Sequence, residues 1–164
     1  MQLGDLSISY VRLLANAGRG LGHDPKPLWQ QFRIEADTLS SPDTRISIPR
    51  FMRLGYQAIE ETRSPWLGLE MGRTGQPSHL GIAGLLALTS PTLKDACLAI
   101  SNYELLSSYN SRGASSFVQR RDQAYLRFYS ISPYNAFNLF VVDSVLSGWH
   151  QLLRDITGRE KVVT

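Results

Sequence analysis

From about Asn135 to Thr157 the apolar residues Phe137, Phe140, Val141, Val145, Leu146, Trp149, Leu152, Leu153 and Ile156 return at three- and four-residue steps, and Gly158 follows as a stop. At a rise of 1.5 Å per residue such a helix measures on the order of 30 Å, which is the width of a domain of this size. The rest of the chain must be arranged around that one spanning element. A length of 164 residues suits one core of ordinary size. The expectation is therefore a single domain over residues 1–164. The ending Arg159-Glu160-Lys161-Val162-Val163-Thr164 reads as the opening of a strand, as though the domain continued.

Upstream, proline and glycine divide the chain into short amphipathic pieces. Ile8, Val11, Leu14 and Ala15 give a first helix over 7–16, with Gly18, Gly20 and Gly22 after it. A dinucleotide loop would follow a strand and open a helix, whereas these glycines close one. Asp24 with Pro25 starts a brief second helix carrying Leu28, Trp29 and Phe32. Residues 35–47 have turn composition and read as a connector. Pro49 suits the first turn of a helix bearing Phe51, Met52, Gly55, Ala58 and Ile59, which ends before Pro65. Ser64 and Pro65 then begin a short helix expected to bury Trp66, Leu67 and Leu69.

Gly72, Gly75 and Pro77 mark a loop before the apolar run Ile82–Leu88, which by period alone is a buried helix or a strand; its glycine, alanine and leucine content favours helix. Ser90-Pro91-Thr92 opens a helix whose stripe is Leu93, Ala96, Cys97, Ile100 and Tyr103. Residues 115–121 and 125–131 are β-prone and flank Asp122-Gln123 as a hairpin turn. In the second strand Leu126 and Phe128 face one way, and Tyr125, Arg127 and Tyr129 the other. The fold class expected is helix-rich α+β: several amphipathic helices packed with a small antiparallel sheet that includes a hairpin at about 115–131, followed by the long helix at about 135–157.

Several functions find no support. The longest apolar stretch, Leu80–Leu88, is far short of the roughly 20 residues a membrane span needs, and no export signal opens the chain. A formal charge of +3, with basic and acidic residues mixed throughout, is a weak footprint for gripping a phosphate backbone. A lone Cys97 builds neither a disulfide nor a thiolate metal site and fits a reducing, cytoplasmic compartment. Cys97 sits on an apolar stripe, where a buried thiol is ordinary. His23, His79 and His150 show no metal-ligand spacing, and there is no nucleophile elbow or Walker loop. No catalytic residue, metal ligand or cofactor is assigned.

Two surfaces remain as candidates. Tyr103, Tyr125, Arg127, Tyr129 and Trp149, with Tyr109 nearby in sequence, could line an amphipathic pocket in which ring faces supply area and hydroxyls or the guanidinium fix orientation. The same residues also suit the rim of a core with polar tips in water. On the long helix, Phe137, Val141, Trp149 and Leu153 exceed what one core covers and could mediate dimerisation or engage a protein partner.

The order of the motifs resembles a known family. Its carriers are the glycine-rich end of the first helix with Asp24-Pro25, the stretch Asp43-Thr44-Arg45-Ile46-Ser47-Ile48-Pro49, Ser64-Pro65-Trp66-Leu67-Gly68-Leu69-Glu70-Met71-Gly72, Leu80-Gly81-Ile82-Ala83-Gly84, Ser90-Pro91-Thr92-Leu93 with Ala96, and the closing Ile156-Thr157-Gly158. In this order they resemble the N-terminal effector, or arabinose-binding-like, domain of AraC-type bacterial transcriptional regulators. The resemblance implies a cytoplasmic regulatory domain that senses a small molecule, forms a homodimer, or both, while DNA is bound only by helix-turn-helix units beyond this chain. The alternative is a pure dimerisation or protein-partner module without a ligand. The sugar in the family label transfers poorly to a helix-rich sequence without the many short strands of a β-barrel sugar pocket.

Overall fold

The computed structural model describes residues 4–41, 43–103, 108–109, 113–130 and 135–163. Its elements are β1 (Asp5–Ser7), α1 (Ser9–Gly20), α2 (Lys26–Gln31), α3 (Ala36–Ser40), β2 (Arg45–Ser47), α4 (Ile48–Thr62), α5 (Leu67–Arg73), a 3-10 turn (Pro77–Leu80), α6 (Gly81–Leu88), α7 (Leu93–Asn102), β3 (Ser108–Tyr109), β4 (Gly113–Arg120), β5 (Gln123–Ser130) and α8 (Leu139–Thr157). Helix-rich α+β is the class the residue pattern predicts. No helix among the described residues is long and apolar enough to cross a membrane.

Among the described residues, two small antiparallel sheets accompany the helices. In one, β1 lies between β2 and β3, pairing Leu6 with both Ile46 and Ser108. The other is the hairpin β4–β5, in register from Gly113↔Ser130 to Arg120↔Gln123. Its turn is therefore Arg121-Asp122, one residue earlier than Asp122-Gln123, and Arg121 has a φ of 41°, as tight hairpin turns require. Ile131, expected to end the second strand, lies outside the described residues.

Where sequence periodicity was too short to read, the chain behaves differently from expectation. β1 takes residues 5–7, and α1 begins after it and runs through Gly18 and Gly20; Gly22, at φ 84°, is the glycine that turns the chain. Asp24 does act at the start of α2, its Oδ1 accepting the Lys26 N–H at 3.0 Å. The stretch 35–47 is not merely connecting, since it holds α3 and β2, each shorter than two helical turns or two pleats. Residues 159–163 form no strand. In α5 the buried side is Leu67, Gly68, Met71 and Gly72, whereas Trp66 and Leu69 are 51% and 47% exposed. The small residues are inside because α5 packs directly on another backbone.

That backbone is α8. Counted from Leu139 it has 19 residues and measures about 28 Å. It begins four residues later than its apolar period suggests because the asparagines form a turn first: Asn138 Oδ1 accepts the Asn135 N–H at 2.8 Å and Asn135 Oδ1 accepts the Phe137 N–H at 2.9 Å. Gly158 ends it at φ 65°. A Cβ on Gly68 would lie 2.4 Å from the Phe140 carbonyl oxygen, so no larger residue fits at this crossing. Ser147 Oγ donates to the Leu69 carbonyl at 2.8 Å and ties the two helices further.

Among the described residues, apolar burial falls into two clusters. The first joins Leu6, Val11, Leu14, Phe51, Leu54, Leu67 and Met71 with Phe140 of α8. The second joins Ala87, Ala96 and Ile100 with Trp149 and Leu152 of α8, and Leu126 and Phe128 of β5 pack against it. Each large side chain so buried contributes roughly 1.5–3 kcal/mol. α8 is the element common to both, which is the physical reason for its wide apolar side.

Candidate ligand cavity

A cavity of about 150 Å³ lies at the seam between the two clusters. Leu6, Leu13, Ile48, Phe51 and Met71 bound it from the first, and Ile100, Trp149 and Leu152 bound it from the second, together with Leu80, Val145 and Phe128 that pack against the second. The void exists because small residues meet there: Gly72, Gly75, Ala83, Gly113 and Gly148 all line it. At the α5–α8 crossing close backbone approach demands glycine, and the same glycines supply no side chain to fill the seam.

Polar groups in the lining are few, and most are occupied. Ser144 Oγ donates to the Val141 carbonyl at 2.8 Å. Asn138, only 4% exposed, uses its Oδ1 on the Asn135 N–H. Tyr10, Ser115 and Asn138 all have interactions of their own. No buried side-chain nitrogen or oxygen among the described residues lacks a partner.

His79 and Gln76 form a reciprocal box around the 3-10 turn. The Gln76 side chain accepts the His79 N–H, and the Gln76 N–H donates to His79 Nδ1 at 2.8 Å. A ring whose Nδ1 is an acceptor carries its proton on Nε2, so the neutral His79 keeps one N–H to donate. Burial pushes the His79 pKa down, and the nearby Arg12 charge pushes it the same way. Both effects favour the neutral ring.

Of the five pocket candidates from sequence, Trp149 lines this cavity, edge-on to Phe128 with ring centroids 6.1 Å apart. Tyr125, Arg127 and Tyr129 occupy the opposite, exposed face of β5, where Arg127 Cζ lies 5.5 Å above the Tyr125 ring and Tyr129 is 68% exposed. Tyr103 follows α7 and is 46% exposed. These four are not brought together with Trp149. The alternation of β5 follows the sequence pattern, and it is Leu126 and Phe128 that face inward. The backbone of Tyr109 lies in β3, and its side chain is outside the described residues.

The long-helix candidates are divided similarly. Trp149 and Leu153 are buried and Val141 lines the cavity; Trp149 is covered by the second cluster and Val141 packs against the first. Phe137 is 44% exposed and rests on Tyr56, ring centroids 4.6 Å apart. Cys97 is buried and its thiol pKa is raised by burial, the opposite of an activated nucleophile. Among the described residues no three His, Cys, Asp or Glu side chains are grouped to hold a metal ion. Periodicity missed His79 and Gln76, although Gln76-Pro77-Ser78-His79 has the spacing of a box across a helix start.

Residues 22–164 match the family model described as the arabinose-binding domain of AraC transcription regulators, N-terminal. The chain is also 26% identical over 153 residues to the ornithine utilization regulator of Pseudomonas aeruginosa, an alignment that covers 92% of this chain and 44% of that protein. It thus spans less than half the length of that relative.

Proposed function

Because the chain belongs to the family of N-terminal arabinose-binding domains of AraC transcription regulators, we propose that the seam cavity is an effector site through which a small molecule controls DNA binding by the remainder of a longer cytoplasmic regulator. The observation that carries this reading is the position of the void: a ligand there touches both hydrophobic clusters and α8, the element they share. A ligand shifts a conformational equilibrium only by its difference in affinity for the two states, and a guest at the joint of two clusters is placed to have one. Couplings of this kind are typically about 1–3 kcal/mol. The domain carries out no chemistry of its own in this reading.

The test is thermal unfolding against a panel of metabolites, run in parallel on Ala83→Leu, which adds a side chain to the cavity wall. An effector at 100 times its Kd stabilises by about 2.7 kcal/mol, which for a chain of this length raises Tm by roughly 5–10 °C. The reading requires that rise in the native protein and its loss in the filled variant. Equal stabilisation of both would place the ligand elsewhere.

Homodimerisation is a second reading, favoured by α6. Its Ala83, Gly84 and Ala87 are buried, yet Ile82, Leu85 and Leu88 on the other side are 58%, 54% and 44% exposed. A helix apolar all round is normally covered. Sedimentation of the native protein and of Leu85→Glu decides it: a dimer that dissociates on the substitution supports this face, and a monomer in both removes it.

A further inference from the structure

The cavity also limits what kind of effector it can hold. This argument rests on the seam being the effector site. We infer that its ligand is a compact, mainly apolar molecule, about the size of one aromatic ring, carrying a single hydrogen-bond acceptor that takes the Nε2–H of His79.

Size comes first: a mainly apolar cavity of about 150 Å³ has room for a guest of benzene dimensions. Polar capacity comes second. A pentose brings four hydroxyls and a ring oxygen, and each loses its water on entry and needs a partner or costs about 1–3 kcal/mol. Here Ser144 Oγ already donates to the Val141 carbonyl, Asn138 Oδ1 already accepts the Asn135 N–H, and the Gln76 side-chain carbonyl is committed to the His79 N–H. An amino acid with a charged side chain would fare worse, since no ion pair awaits it among the described lining residues. Beside the Gln76 amide NH2, the box leaves over the imidazole Nε2–H, which is held in place because the other ring nitrogen is fastened to the Gln76 backbone. An imidazole N–H fixed in this way selects an acceptor, either a carbonyl or a carboxylate oxygen. A carboxylate would also gain from the Arg12 charge felt at His79. The mouth of the cavity thus resembles a site for an aromatic or short branched acyl compound, and it does not suit a sugar.

The experiment measures affinity by thermal shift and calorimetry for five probes: acetophenone, benzoate, ethylbenzene, L-arabinose and L-ornithine. Ethylbenzene has the same frame as acetophenone without its acceptor, and being more apolar it would bind more tightly to a cavity with no donor. The inference expects acetophenone or benzoate to bind about 5- to 10-fold more tightly than ethylbenzene, the worth of one hydrogen bond. It expects no binding by arabinose or ornithine. In His79→Phe the advantage of the acceptor disappears while ethylbenzene still binds; the probe comparison in the native protein stands even if that variant fails to fold. Ethylbenzene binding as tightly as the acceptor probes would overturn the role of His79 and leave the cavity as a ligand site. Saturable arabinose or ornithine binding that Ala83→Leu abolishes would overturn the ligand class. If none of the five binds, both the class and the cavity reading fall.

Discussion

Gly72 of α5 faces Gly148 of α8 with no side chain between the two helices, and the contact is asymmetric. A Cβ built on Gly72 would lie 2.5 Å from Gly148 N and 2.6 Å from the Ser144 carbonyl oxygen, both backbone atoms that cannot move aside. One built on Gly148 meets its nearest neighbour, Gly72 Cα, at an ordinary 3.8 Å. Gly72→Ala is therefore expected to force the helices apart and cost about 2 kcal/mol or more, as overpacking does. Gly148→Ala is expected to be neutral or to stabilise by up to about 1 kcal/mol, the gain of alanine over glycine in a helix. Urea unfolding of the two variants checks the pair, and equal losses would mean that the helices are not in backbone contact.

The start of α7 offers a cleaner test of local chemistry. Thr92 Oγ1 accepts the Asp95 N–H at 3.1 Å and donates to Asp95 Oδ2 at 2.6 Å. Thr92→Ala should lower stability by about 1 kcal/mol, and Thr92→Ser, which keeps the oxygen, by much less. Unfolding midpoints at unchanged denaturant slope would show it.

His79 makes stability depend on pH in a definite direction. Its folded pKa lies below the ordinary value of 6.5, with burial and then Arg12 as the causes. Below that ordinary value the unfolded chain binds a proton that the folded one resists, so its contribution is intact above about pH 6.5 and is lost as pH falls towards the folded pKa. The difference in unfolding free energy between the native protein and His79→Gln should therefore shrink between pH 7 and pH 5. A difference that grows on acidification would show that the folded pKa is raised instead.

Cys97 should behave as a packed thiol. It is buried with its pKa raised by burial, so alkylation by iodoacetamide is expected to be slow in buffer and to become fast only across the urea transition. Prompt labelling of the folded protein at neutral pH would contradict the packing of α7.

Sequence periodicity reaches as far as elements long enough to repeat. Thr92 with the Ala96, Cys97 and Ile100 stripe, the β4–β5 alternation and the apolar run ending at Gly158 are all legible because each spans two or more periods. β1 and β2, at three residues each, have no period to read; their pairing of Leu6 with Ile46 is a tertiary fact. The cavity was illegible for the same reason. Its walls bring Leu6 and Leu13 together with Ile100 and Trp149 from the far end of the chain, and no local pattern encodes that meeting. The tyrosines of β5 illustrate the converse error: the strand alternation correctly put Tyr125 and Tyr129 on one face, but only the packing of Phe128 against Trp149 decides which face is inside.

The α5–α8 crossing has a mechanical consequence. Gly72 against Gly148 is a narrow bearing, and Phe140 and Trp149 sit in different clusters along the same rod. From Gly148 to the stop at Gly158 the rod extends ten residues, about 15 Å. A guest seated beside that crossing would press on a helix whose C-terminal arm is itself held by Trp149, Leu152 and Ile156 in the second cluster, so the strain would pass into that cluster.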